Sequence, residues 1–207
     1  MKLVRLVGLL LLSSVVAVLP ASADLLSGCD TCQGATYLLQ YNPNNTTTSG
    51  SDHIYDVFLT IDTSLYNGGG TYLNSVAIKI ANSDDFALSS LLAAPGGIGA
   101  WSLQDGGLNA NGCSGSGSGF ICAQDGQTAP VPHVGSYTWE FHYATTSALL
   151  TGTLAASIKA QYVDANGKKV GALVSEGITL QETPEPASML LIAAGAFGLF
   201  GILKLRK

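Results

Sequence analysis

The sequence predicts an all-β fold, a single β-sandwich of about seven or eight strands, and three observations carry that expectation. Apolar residues recur with a period of two along several short segments, which puts them on one face of a strand. Those segments are bounded by Gly- and Asn-rich clusters of the kind that turn a hairpin. Of the 207 residues, 47% are hydrophobic and 11% charged. That excludes a disordered chain, which needs high charge and few apolar groups, and a coiled coil, which is rich in Ala, Glu, Lys, Leu and Arg.

The first clear strand puts Tyr55, Val57, Leu59 and Ile61 on one face. After the turn Asn67-Gly68-Gly69-Gly70, Tyr72, Val76, Ile78 and Ile80 do the same. Around Asp84 to Ala94 two patterns compete: Ser83-Asp84-Asp85 suits a helix cap, while Phe86 and Leu88 alternate, and strand is the expectation. Tyr137, Trp139, Phe141 and Tyr143 then share one side of a run whose other side holds Ser136, Thr138, Glu140 and His142. Ala156 to Val163 and Ala172 to Leu180 flank Asp164-Ala165-Asn166-Gly167-Lys168, whose Asn-Gly step fits a hairpin turn. Asn42 to Ser51 and Gly112 to Gly119 read as low-complexity loops, and no internal repeat is visible.

The two ends read differently from the body. Lys2 and Arg5 precede an apolar run from Leu6 to Leu19, and Pro20 with Ala21-Ser22-Ala23 fits a signal-peptidase site before Asp24. Residues 1–23 are therefore expected to be a signal peptide and residues 24–183 the exported sandwich. Ala187 to Leu203 is an uncharged apolar stretch, at the short end of what spans a bilayer. Its Leu, Ile and Phe residues contribute about −2 to −5 kcal/mol towards insertion. Lys204, Arg206 and Lys207 follow and form a membrane stop, since basic residues stay on the cytoplasmic side.

Pro184-Glu185-Pro186, then the apolar span of residues 187–203, then the basic end of residues 204–207 resembles the PEP-CTERM sorting signal. The likeness covers residues 184–207. It implies a substrate of an exosortase, a membrane protease that handles such tails, in a Gram-negative bacterium that makes exopolysaccharide. The chain departs from the family pattern at Leu205, which interrupts a basic end that is often an arginine cluster. The two prolines bar helix at the membrane surface and leave an extended strip open to a protease.

The body between the ends has four lysines against thirteen acids, a net charge of −9. It offers no basic face for nucleic acid or anionic lipid. Cys29, Cys32, Cys113 and Cys122 all lie in it, and an even number in an oxidising compartment predicts two disulfides, with three possible connectivities. Cys113–Cys122, which clasps the Gly/Ser loop, and Cys29–Cys32 are the preferred pairs. Cys29-Asp30-Thr31-Cys32 also has the spacing of a redox motif, but no strand–helix unit surrounds it. A zinc site is disfavoured because only one pair has ligand spacing and oxidation removes the thiolates.

Signals for catalysis are sparse: there is no G-x-S-x-G elbow, H-E-x-x-H pair or Walker loop. Gly115 to Gly119 alternates Gly and Ser with no helix after it to hold a phosphate. Of the three histidines, His53, His133 and His142, the last shares a strand face with Glu140, about 7 Å away on strand rise. That pair is half of an acid–base or metal site, or a solvated face. Asp62, Asp84 and Asp85 lack the spaced oxygen ligands of a calcium loop. The Asn44-Asn45-Thr46 and Asn45-Thr46-Thr47 sequons mark a surface loop. The aromatic face of residues 137–143 is expected to be core, with a sugar-stacking platform including Trp101 and Trp139 as the functional alternative. The expectation is a non-enzymatic, structural or adhesive surface protein with no cofactor, no metal and no nucleic-acid partner. Its partners would be signal peptidase, an exosortase, the membrane and, in the alternative reading, exopolysaccharide bound by a carbohydrate-binding module.

Overall fold

The computed structural model describes residues 25–80, 85–115, 117, 119–125, 135–149 and 154–183. The strands are β1 (Thr36–Ser49), β2 (Asp52–Asp62), β3 (Tyr72–Lys79), β4 (Ser90–Ala93), β5 (Trp101–Asp105) and β6 (Gly107–Asn109). They continue with β7 (Gly112–Gly115), β8 (Ile121–Asp125), β9 (Ser136–Thr145), β10 (Leu154–Val163) and β11 (Val174–Glu182). The fold is all-β, as expected, but it has eleven strands rather than seven or eight. The strands the pattern did not mark are β5 to β8, whose alternation is too brief to register in the sequence, and the long β1, whose second half reads as a polar loop. The signal peptide of residues 1–23 and the apolar segment of residues 187–203 lie outside the described residues, among which no helix is long and apolar enough to cross a membrane.

Nine strands form one sheet in the order β4-β9-β2-β1-β11-β10-β3-β8-β5, and β6–β7 is a separate hairpin. In place of two separately bonded sheets there is one that curls, because the chain forces it to. β4 and β5 are consecutive in sequence yet occupy opposite edges. Laid flat, eight inter-strand gaps would part those edges by about 38 Å. The link from Ala93 to Trp101 reaches at most about 28 Å when fully extended. The edges must therefore approach one another, and the apolar faces close round a common core. The sheet is antiparallel except where β1 meets β11, which run parallel from Leu39–Leu180 to Tyr41–Glu182.

Period-two patterning fills that core. Tyr37, Leu39 and Tyr41 of β1, Tyr55, Val57, Leu59 and Ile61 of β2, and Trp139, Phe141 and Tyr143 of β9 are all buried. The hydroxyls of Tyr37 and Tyr162 meet inside it at 3.1 Å. Tyr72 departs from its expected place. A bulge at Asn74 breaks the β3–β10 register between Ser75 and Leu73, so Leu73 takes the core position and Tyr72 is only half-buried. One extra residue inverts every side chain beyond it.

Two further corrections concern loops. Asn42 to Ser51 is largely strand: β1 resumes after Pro43-Asn44-Asn45 and pairs Thr46 with Tyr55 and Ser49 with Asp52. The β-branched threonines suit the pleat, and the bulge accommodates a proline that has no N–H to donate. Phe86–Leu88 is a 3-10 turn, capped by the Asp85 carboxylate on the Ala87 N–H at 3.0 Å, before β4 begins. The Gly112 to Gly119 segment contributes β7, and the hairpin it forms covers the outer face of β3, β8 and β10. Leu108, Cys113, Phe120, Cys122 and Ala77 make a second small core there. The Lys159 and Lys79 ammoniums sit 4.6 and 5.7 Å from the Phe120 ring centre.

Candidate functional site

The cysteines are joined as Cys29–Cys32 and Cys113–Cys122. Cys32 is fully buried, and the neighbouring Thr31 hydroxyl donates to Glu176 of β11 at 2.5 Å. The turn returns the chain through Gly34, whose φ of +85° and 2.0 Å approach of an added Cβ to the Leu65 carbonyl leave room for no side chain. Cys113–Cys122 ties β7 to β8 and holds the second core shut.

Trp101 and Trp139 are not a sugar platform. Trp139 is 1% exposed and Trp101 8%, and their rings pack edge to face at 5.3 Å. The Trp101 indole N–H is spent on the Pro95 carbonyl at 2.8 Å. The curl of the sheet brings the two strands together and removes both ring faces from solvent, which the linear sequence does not reveal.

Glu140 and His142 do share the outer face of β9, but His142 takes a different partner. Register sets Asp56 of β2 directly opposite it, and the His142 Nε2 lies 3.0 Å from Asp56 Oδ1, with the histidine side chain 40% exposed and the aspartate 7%. The second Asp56 oxygen accepts a hydrogen bond from the Asn45 amide, which projects from the β1 bulge. On its other side His142 faces Ser90 of β4. A hydroxyl, an imidazole and a carboxylate thus stand on three adjacent strands, although no hydrogen bond joins Ser90 to His142 among the described residues. Asp56 and Asn45 were invisible in the sequence because only strand register brings them to the histidine.

The other acidic candidates serve turns. Asp62 accepts from the Ser64 N–H at 2.8 Å and its hydroxyl at 2.5 Å, and these bonds hold its carboxyl below the ordinary value. Asp85 caps the 3-10 turn, while Asp84 and His133 lie outside the described residues, as do Pro184, Glu185, Pro186, Lys204, Arg206 and Lys207. His53 sits beside Tyr55, with ring centres 6.4 Å apart. Among the described residues no three of His, Cys, Asp and Glu gather to hold a metal.

Residues 182–207 match the PEP-CTERM protein-sorting motif. No curated protein matches the chain. In shape, the chain is similar to the C-terminal domain of a Streptococcus agalactiae AgI/II polypeptide, BspA, with 11% identity over 70% of this chain and 50% of that one, and a TM-score of 0.37. It spans about half the length of that protein. It is also similar to the collagen-binding subdomain of the Enterococcus faecalis surface protein ACE, with 9% identity over 72% of this chain and 96% of that one, and a TM-score of 0.36. A third similarity is to a collagen-binding domain from a Staphylococcus aureus adhesin, with 9% identity over 70% of this chain and 95% of that one, and a TM-score of 0.31.

Proposed function

We infer that this chain, which carries a PEP-CTERM protein-sorting motif over residues 182–207, delivers a non-catalytic β domain to the cell surface as a structural or adhesive component. The motif indicates export, processing by an exosortase and passage through the membrane. The observation that carries the reading is where the domain stops. β11 ends at Glu182, which accepts a hydrogen bond from the Tyr41 hydroxyl at 2.9 Å, and the Thr183 N–H bonds the Tyr41 carbonyl at 2.8 Å. The last described strand ends where the sorting motif begins, so removing the tail after that point would cost the sheet none of its described strands.

In this reading signal peptidase removes residues 1–23, the helix of residues 187–203 halts in the inner membrane with Lys204, Arg206 and Lys207 inside, and an exosortase cuts near Pro184-Glu185-Pro186. Two disulfides suit an oxidising exterior. Intact mass of the protein from the producing cell's surface fraction tests it. A mass ending between Pro184 and Ala187 is expected, with surface adhesion lost on deletion of the gene; a mass running through Lys207 would make it a permanent inner-membrane anchor instead.

The alignment of Ser90, His142 and Asp56 favours one rival, a serine hydrolase. Labelling by a fluorophosphonate probe, abolished in Ser90→Ala, would establish that rival and end the non-catalytic reading. The expected result is no labelling.

A further inference from the structure

Beside the disulfide-clasped hairpin, on the outer face of β3, β8 and β10, lies a cleft of about 460 Å³. Three elements wall it: the sheet itself, the tip of the β6–β7 hairpin through Asn111, and the β10–β11 turn through Lys169. Its floor is Asn74, the extra residue of the β3 bulge, with Gln124, Gln161 and Asp125. We propose that this cleft binds a neutral saccharide, independently of the delivery route inferred above.

The floor amides are fixed in orientation by the protein. Gln161 is 2% exposed, and its Nε2 donates to the Asn109 and Ala110 carbonyls at 3.2 and 3.0 Å. Gln124 accepts the Cys113 N–H through Oε1 at 3.0 Å. Asn74, 7% exposed, donates to the Asp125 carbonyl at 3.3 Å and accepts from the Ser75 hydroxyl at 2.8 Å. Each glutamine therefore spends one end of its amide on the hairpin and keeps the other. Gln161 keeps an acceptor and Gln124 a donor, set on the two strands that flank β3 and both opposite Ser75, and both are already ordered, so little side-chain entropy is lost on binding.

A polyol matches that pair because every hydroxyl both donates and accepts. Two other ligand classes fit poorly. A peptide would need a free strand edge or apolar side-chain pockets, yet β10, β3 and β8 each have a neighbour on both sides and the lining is mostly polar. A uronate polymer would meet a body of net charge −9, with one lysine against one aspartate in the cleft. A neutral sugar meets neither obstacle.

The test is an amide NMR titration of the isotope-labelled exported protein with neutral glucan and galactan oligosaccharides, a polyuronate oligomer and an unstructured peptide. Shifts are expected at Asn74, Asn111, Gln124 and Gln161 with a neutral oligosaccharide alone. Gln124→Glu keeps the acceptor for Cys113 and replaces the ligand-facing donor, and Asn111→Ala trims the exposed rim. Each should weaken binding about three- to tenfold, the worth of one neutral hydrogen bond. Should Gln124→Glu fail to fold, Asn111→Ala and the shift map decide. No shift in the cleft with any neutral oligosaccharide overturns the proposal, as do shifts elsewhere or the same shifts from the polyuronate or the peptide. Surface delivery is read by intact mass, so failure of one inference leaves the other standing.

Discussion

Trp101 and Trp139 meet edge to face, with ring centres 5.3 Å apart, although β5 is one edge of the nine-stranded sheet and β9 lies next to the other edge. This contact is where the curled sheet closes on itself. It explains how a fold whose hydrogen bonds run through one sheet still encloses a core.

Truncating Trp139 should open that closure. Trp139→Ala is expected to cost about 3–5 kcal/mol, as large aromatic deletions in cores do. Trp139→Phe should cost much less, because the indole N–H has no hydrogen-bond partner among the described residues and its removal relieves an unmet polar group. Chemical denaturation of both variants measures the difference. As the chain has two tryptophans, both buried, emission should be blue-shifted in the folded protein and move red on unfolding in one step.

Alkali should unfold the protein through its tyrosines. Burial, with the neighbouring Glu182, pushes Tyr41 up to about 12. Desolvation raises Tyr37 and Tyr162 further in the same direction. A raised pKa means the folded state holds its proton longer than the unfolded one, whose tyrosines ionise near 10. The stabilisation is complete below about pH 10 and drains away as pH climbs through 12, by up to about 1.4 kcal/mol per pH unit for each tyrosine. The expected result is a falling denaturation midpoint above pH 10, with part of the phenolate absorbance appearing only on unfolding. Full ionisation of all eight tyrosines with the fold intact would contradict it.

The Cys113–Cys122 bond should matter beyond its own loop. Replacing both cysteines with alanine is expected to cost roughly 2–3 kcal/mol by loop-closure entropy. Leu108 and Phe120, which the hairpin buries, should then bind a hydrophobic dye. Calorimetry and dye fluorescence together check both effects.

Asp56 should fasten the β1 bulge. Asp56→Ala removes the partner of His142 and of Asn45 at once and is expected to cost about 1–3 kcal/mol. Amide exchange should quicken from Thr46 to Ser49, beyond the bulge, while Leu39 and Tyr41 stay protected. Asp56→Asn, which keeps an acceptor, should fall between wild type and Asp56→Ala.

What the sequence determined by itself was local in origin. Period two on β2 and β9 marked Leu59 and Phe141 as core because alternation and burial are the same fact on a pleated strand. The cysteine spacing pointed to the pairs that form, and Pro184-Glu185-Pro186 with its apolar and basic sequel marked the sorting tail, since such signals are read linearly by the machinery that handles them. Tertiary structure decided everything that depends on which strands become neighbours. Curling of the sheet turned Trp101 and Trp139 from candidate binders into core, register gave His142 to Asp56 instead of Glu140, and the Asn74 bulge turned Tyr72 off the core face and opened a polar cleft. Pairing partners lie as many as 141 residues apart, as Leu39 and Leu180 do, and the energy that selects them comes from burying whole faces together. No local pattern encodes that choice.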